Sequence, residues 1–154
     1  MDAIKLLTQD HVAIRKLLGE LAESTTRATR KRADLLSQIA NELEAHTKIE
    51  EEIFYPAFKA AGKAEEAKMY FEALEEHRAA GDLVLPDLLQ TPPESEKFSG
   101  RAKVLKELVE HHADEEEEEM FKRAKQLMDA AELKELGEKL AARKAELMEQ
   151  FKAA

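Results

Sequence analysis

Two histidine–glutamate pairs have the spacing of metal ligands on a helix. His46 and Glu50 stand four residues apart, and so do His112 and Glu116. Residues four apart on an α-helix are offset by about 40° around the axis and about 6 Å along it, so both side chains of a pair can reach one ion. Imidazole nitrogen and carboxylate oxygen suit iron, manganese or zinc. Each pair is therefore a candidate pair of metal ligands.

Both pairs lie on the apolar stripes of predicted helices. Before the first pair, apolar residues recur three and four positions apart at Leu36, Ile39 and Leu43, the spacing of a buried helix face. A stripe of the same kind precedes the second pair at Ala102, Leu105 and Val109. An imidazole and a carboxylate on such a face are costly to bury unless a metal ion or a salt bridge compensates them. A metal site and a set of internally satisfied core histidines are the two interpretations.

The chain contains an internal repeat with an offset of 66 residues. The two pairs are related by this offset, and so are His11 and His77. His11 also lies on an apolar stripe. Such a repeat predicts a duplicated helical hairpin, in which each half supplies one lone histidine and one His-x-x-x-Glu pair. Six such side chains around one point of the core fit a dinuclear metal centre.

Composition and helix breakers predict an all-α protein. Residues 1–154 are one domain by length, and the five glycines and four prolines are few among many Ala, Leu, Glu and Lys residues. The predicted helices of an antiparallel up-down-up-down four-helix bundle cover residues 2–24, 31–61, 64–89 and 95–128. An additional C-terminal helix over residues 130–152 carries no histidine and is predicted to pack on the bundle as a structural element.

Charge and residue content exclude several classes of function. A net charge of −9 argues against a nucleic-acid or anionic membrane partner. The absence of cysteine excludes disulfides, iron–sulfur clusters and thiolate zinc sites. The glycines are too scattered for a phosphate loop or a dinucleotide fingerprint. Without a recognisable signal or membrane-spanning segment, a cytoplasmic location is expected.

The motif segments resemble those of the hemerythrin-like family, also called HHE cation-binding domains. These segments are Asp10-His11, His46-x-x-x-Glu50-Glu51 with Phe54-Tyr55-Pro56, Glu76-His77, and His111-His112-x-x-x-Glu116 with Met120-Phe121. The resemblance covers the four helices of the predicted bundle. It implies a centre of two non-haem iron ions of the Fe–O–Fe type, with zinc or manganese as substitutes. The implied metal ligands are His11, His46, Glu50, His77, His112 and Glu116, with the two glutamates as bridges.

The resemblance also implies a class of ligand, since the centre in this family meets dioxygen, peroxide or nitric oxide. The expected function is a di-iron protein that binds or reacts with such a small diatomic or peroxide ligand, and peroxide decomposition is its enzymatic form. The alternative is a metal-binding storage or regulatory module without turnover. A third interpretation is a purely structural bundle. No protein partner is indicated.

One position departs from the oxygen-carrying hemerythrins, which resemble this chain but have a second histidine where Ala73 stands. The missing imidazole implies an open coordination position and favours peroxide or nitric oxide chemistry, or sensing, over oxygen carriage. Tyr70 lies seven residues before His77, hence on the same helix face, and is a candidate ligand or hydrogen-bond donor. It also suits the core position that its repeat partner Ile4 occupies.

Three further residues lie beside the candidate ligands. Glu51 could support a ligand histidine through a hydrogen bond. His111 is expected beside or outside the site, because the apolar stripe aligns with His112. Tyr55 is nine residues after His46 and is expected on the opposite side of the helix, as a packing or interface residue.

Overall fold

The computed structural model describes all 154 residues, and helices are its only regular secondary structure. The first helix, α1 (Ala3–Glu23), begins after Asp2, whose side chain accepts a hydrogen bond of 2.8 Å from the Lys5 backbone N–H. The second continuous helix consists of α2 (Thr29–Ile49), a π-helical turn (Glu50–Phe54) and α3 (Tyr55–Ala61).

The remaining helices follow the predicted limits. The third consists of α4 (Ala64–His77), a π-helical segment (Arg78–Val84) and α5 (Leu85–Leu89). The fourth consists of α6 (Glu96–Glu115), a π-helical turn (Glu116–Met120) and α7 (Phe121–Leu127). The fifth is α8 (Ala130–Ala153). Side-chain caps by Ser95 and Asp129 fix where α6 and α8 begin.

The three π-helical segments interrupt the bundle helices beside the candidate ligands. Two of them begin at Glu50 and Glu116, and the third begins directly after His77. Pro56 follows the first of these turns, and the helix continues through it. A proline has no N–H to donate and clashes with the carbonyl of the preceding turn, and a wider turn accommodates both effects. Pro86 follows the third segment in the same way.

The four continuous helices that contain α1 to α7 form the antiparallel four-helix bundle that the sequence predicted, with α8 as the additional helix. Two apolar clusters fill the bundle. In α1, Leu7 belongs to one cluster and Ile14 to the other, and the buried Asp10 and His11 lie between them. The other bundle helices also place their buried histidines and glutamates between the two clusters. The polar site is therefore enclosed at mid-height of the bundle.

The fifth helix packs against α1 and α2. Its Gly137 faces the start of the chain so closely that a Cβ atom there would lie 2.7 Å from the carbonyl carbon of Asp2 and 2.8 Å from the Ala3 backbone nitrogen. Only a residue without a side chain permits this approach. No helix of the protein has both the length and the apolar character needed to cross a lipid bilayer.

Candidate metal centre

All six side chains predicted as ligands meet at mid-height of the bundle. Their candidate ligand atoms form two groups, within each of which the atoms lie no more than 4.8 Å apart. Position 1 is formed by His11, His46, Glu50 and Glu116. Position 2 is formed by Glu50, His77 and His112. All six residues are buried, although the sequence separates them by as many as 105 positions.

Each of the two carboxylates contacts histidines of both positions. Glu50 Oε1 is 3.1 Å from both His46 Nε2 and His77 Nε2. Glu116 uses its two oxygens separately, because Oε1 is 3.0 Å from His11 Nε2 and Oε2 is 3.4 Å from His112 Nε2. Each carboxylate therefore contacts one histidine from each half of the repeat.

Each of the four histidines donates a hydrogen bond from Nδ1 to a carboxylate. The donor–acceptor distances are 2.7 to 2.9 Å, and the acceptors are Glu117 for His11, Asp10 for His46, Glu51 for His77 and Glu76 for His112. Ionised carboxylates only accept, so Nδ1 carries the hydrogen and Nε2 faces the centre. A carboxylate behind each imidazole orients the ring and makes it a better metal ligand.

The inward-facing atoms fit a metal ion better than they fit one another. His46 Nε2 and Glu50 Oε2 are buried without a hydrogen-bond partner. The Nε2 atoms of His77 and His112 are 3.1 Å apart, so at most one hydrogen can lie between them. Buried polar atoms left without partners are costly, and a cation ligated by all of them would remove that cost. The donor set, four imidazoles and two carboxylates, suits iron, manganese or zinc.

Without a metal, three of the histidines have pKa values raised above the ordinary value. Burial lowers the pKa of His46, but Glu50, Asp10 and Glu116 outweigh it and raise that pKa to about 10. Burial also lowers the pKa values of His77 and His112, and their carboxylate neighbours again raise both above the ordinary range. A metal ion must therefore displace protons when it binds.

The structure places the Tyr55 phenol in the centre, where we had expected a packing or interface residue. Its hydroxyl donates a 2.6 Å hydrogen bond to Glu116 Oε2 and lies 3.1 Å from the Nε2 atoms of both His77 and His112. The cause is the π-helical turn. The Tyr55 N–H bonds to the Glu50 carbonyl, five residues back, so Tyr55 lies above Glu50 instead of rotating away by about 140° as in an α-helix.

Tyr70 lies one layer further out than Tyr55. Its ring packs edge-to-face on Tyr55, with the ring centroids 6.3 Å apart, and Lys59 Nζ lies 5.0 Å above it. Its hydroxyl makes no hydrogen bond with the candidate ligands. Tyr70 is thus partly buried against the core, and Tyr55 occupies the place beside position 2 that we had considered for Tyr70.

The other two secondary candidates have separate places. Glu51 accepts the hydrogen bond from His77 Nδ1, the supporting contact that the sequence suggested. His111 points away from the centre, with 66% of its side chain exposed, and contacts Glu115 and Glu76 at the surface.

The 66-residue repeat extends to the supporting carboxylates, which sequence reasoning largely missed. Asp10 and Glu76 are 66 residues apart, and so are Glu51 and Glu117. The repeat could therefore have predicted all four carboxylates that accept hydrogen bonds from the histidines. It also relates Tyr55 to Phe121. Tyr55 packs on His77 with ring centroids 5.3 Å apart, and Phe121 packs on His11 at 5.8 Å.

A small cavity adjoins the histidines inside the bundle. It has a volume of about 20 Å³ and is lined by the four imidazoles and by apolar side chains that include Ile14, Leu43 and Val109. This volume holds roughly one water-sized molecule. The cavity therefore offers space for one very small ligand beside the histidines.

The fold and the centre together define the class of protein, a helical bundle whose buried histidine–carboxylate cluster can hold metal ions. The sequence matches the family model described as the hemerythrin HHE cation-binding domain over residues 2–124. The chain belongs to this family, as the motif segments indicated.

Similar proteins come from mycobacteria. Uncharacterised proteins of Mycobacterium tuberculosis and Mycobacterium bovis are each 32% identical over 144 residues, which cover 93% of this chain and 85% of theirs. The crystal structure of a hemerythrin HHE cation-binding domain-containing protein from Mycobacterium kansasii is similar with a TM-score of 0.82 and 34% identity. That match covers 96% of this chain and 87% of the other. The similarity therefore includes α8, which lies beyond the residues of the family match.

Proposed function

We propose that this chain is a non-haem di-iron protein whose centre binds or reacts with dioxygen, peroxide or nitric oxide. The observation that carries the proposal is the arrangement of the four histidines. Each donates from Nδ1 to its own carboxylate, and each Nε2 faces the place where Glu50 and Glu116 meet. Imidazole and carboxylate donors from several helices of one bundle form a typical non-haem di-iron site.

The two positions divide the four histidines evenly. His11 and His46 would hold one ion at position 1, and His77 and His112 would hold the other at position 2, with Glu50 and Glu116 contacting both. Two iron ions bound there would supply the electrons and the open coordination positions for reaction with oxygen species. The chain itself orients the ligands, since each imidazole is fixed by a supporting carboxylate. It also keeps water away, since the centre lies between two apolar clusters.

The cavity beside the histidines supports a very small ligand. Its roughly one-water volume, lined by the four imidazoles and by apolar side chains, suits a diatomic molecule or hydrogen peroxide. The net charge of −9 supports the further proposal that the protein has no nucleic-acid or anionic membrane partner. We also propose a cytoplasmic location.

Tyr55 supports the peroxide form of this function. Burial and the charges of Glu116 and Glu50 raise the pKa of its phenol well above the ordinary value. The hydroxyl therefore keeps its proton at neutral pH and lies where a ligand at position 2 would need one. Peroxide decomposition is accordingly the enzymatic activity to test first.

The test is the metal content and visible absorption of protein purified from iron-supplemented cells. We expect about two irons per chain with the near-ultraviolet and visible bands of a coupled ferric pair. Glu50→Ala should lose the bands and at least one iron. Glu52→Ala is the matched control, because Glu52 is a neighbouring glutamate whose side chain pairs with Arg143 at the surface.

The same protein preparation is then tested with hydrogen peroxide, dioxygen and nitric oxide, which distinguishes the candidate functions. Oxygen evolution on adding hydrogen peroxide, or spectral change with dioxygen or nitric oxide, supports the proposal. Stable iron binding with no response to any of the three supports a storage or regulatory module. A colourless protein with a single zinc, or with no metal, overturns the di-iron proposal.

A further inference from the structure

The two metal positions differ in the charge behind their histidines. At position 1, both supporting carboxylates are paired with permanent cations. Asp10 accepts from His46 through Oδ2, and its Oδ1 accepts a 2.5 Å hydrogen bond from Lys144 Nζ. Glu117 Oε2 accepts from His11 and also from Arg15 Nη2, at 3.3 Å.

At position 2, the supporting carboxylates have no such partner. Glu51 forms an ion pair with His77 and with no lysine or arginine. Glu76 accepts from His112 and otherwise contacts only the exposed His111, at 3.7 Å, and the neighbouring Glu115. The difference arises from two breaks in the repeat.

The first break is at Arg15. Its repeat partner is Gly81, which carries no charge. The second is α8, which lies outside the duplicated hairpins and brings Lys144 onto Asp10. Lys144 also pairs with Glu42, whose Oε2 lies 3.4 Å from its Nζ. The C-terminal helix, predicted from sequence to be structural, thus contacts the support of a candidate ligand.

We infer that Lys144 and Arg15 are positioning residues that make the two metal positions electrically unequal. The inference rests on the di-iron centre proposed above. A cation in contact with a supporting carboxylate offsets part of the negative charge that the histidine in front of it faces. Arg15 and Lys144 also contact Asp114 and Glu42, yet only the supporting carboxylates of position 1 have a cation beside them. If two irons are bound, the one held by His11 and His46 would therefore have the higher reduction potential.

The difference in reduction potential between the two positions can be measured as the stability of the state in which one of the two irons is reduced. In a reductive titration of the iron-loaded protein, followed by electron paramagnetic resonance and Mössbauer spectroscopy, the comproportionation constant reports the gap between the first and second reductions. Lys144→Met removes the cation and lowers the potential at position 1 towards that at position 2. We expect the constant to fall about tenfold.

Three variants separate charge from packing. Lys144→Arg retains the cation and should retain the wild-type constant. Arg15→Met removes the other cation, from a side chain that is 33% exposed, and should lower the constant in the same direction. Arg143→Met is the matched control on α8, because Arg143 pairs with Glu52 and Glu146, and neither contacts a histidine. It should leave the constant unchanged.

The outcomes distinguish this inference from the proposed function. If wild type holds two irons and Lys144→Met and Arg15→Met both behave like Arg143→Met, the inference is overturned and the di-iron function stands. If Lys144→Arg lowers the constant as much as Lys144→Met, the role of Lys144 is packing and the inference is likewise overturned. A wild-type protein without an iron pair overturns both.

Discussion

The Tyr55 hydroxyl donates a 2.6 Å hydrogen bond to Glu116 Oε2, and this contact joins the two halves of the repeat at the centre. Phe121 occupies the equivalent place in the other half, beside His11, and has no hydroxyl to donate. The pair of related aromatic residues therefore gives the centre a phenol on one side only, adjoining position 2.

Removing that hydroxyl should change ligand binding and leave metal binding intact. Tyr55→Phe keeps the ring against His77 but deletes the oxygen beside position 2. We expect wild-type iron content, a shifted visible spectrum, and azide affinity decreased about tenfold, since the bound anion loses one hydrogen-bond donor beside position 2. Tyr70→Phe is the control, and equal effects of the two variants would contradict a special role for Tyr55. Spectrophotometric azide titration makes the measurement.

The carboxylates behind the histidines should contribute strongly to metal affinity. Glu51→Ala removes the acceptor for His77 Nδ1 and should weaken iron(II) binding by about 10- to 100-fold, measured by competition with a chelating dye. Glu52→Ala deletes the neighbouring carboxylate, which pairs with Arg143 at the surface, and should bind iron as wild type does. Similar losses in both variants would show that net charge, and not the support of His77, decides affinity.

The metal-free protein should lose stability as the pH rises. The folded pKa of His46, about 10, lies above its ordinary value of 6.5. The protonated imidazole therefore contributes stability that is fully present below about pH 6.5 and is lost as the pH rises through about 10. Urea unfolding in the presence of a chelator should show a loss on the order of a few kcal/mol across this range.

The control for this pH dependence is His46→Gln, which removes the titrating group. Its stability should fall less steeply over the same pH range. A flat wild-type profile would show that the carboxylates around His46 do not hold a proton there.

The contact between α8 and the start of the chain should make Gly137 intolerant of any side chain. Gly137→Ala places a methyl group against the backbone of Asp2 and Ala3 and should destabilise the protein by about 1–3 kcal/mol, despite the better helix propensity of alanine. Gly19→Ala is the matched control inside α1, where a Cβ meets no atom within 4 Å, and should stabilise by about 1 kcal/mol. Thermal and urea unfolding of both variants compare the two effects.

Much of the fold could be predicted from local sequence. Apolar residues at helical spacing, capping side chains such as Ser95 and Asp129, and the break at Pro92-Pro93 act over a few residues, so their signals are local. The limits of α1 and of the helix over residues 64–89 accordingly agree with prediction. The π-helical turns were not predicted: prolines follow two of them, but the turn over Glu116–Met120 is followed by Phe121 and has no such local signal.

The sequence by itself determined which residues enter the centre from each half, because the 66-residue repeat and the apolar stripes place His11, His46, His77 and His112 on inward faces. Helix periodicity is intrinsic to the chain, so these faces could be read without a structure. Tertiary structure decided the rest. A π-helical turn brought Tyr55 onto the ligands, and α8 brought Lys144 onto Asp10, since contacts between distant segments have no local pattern.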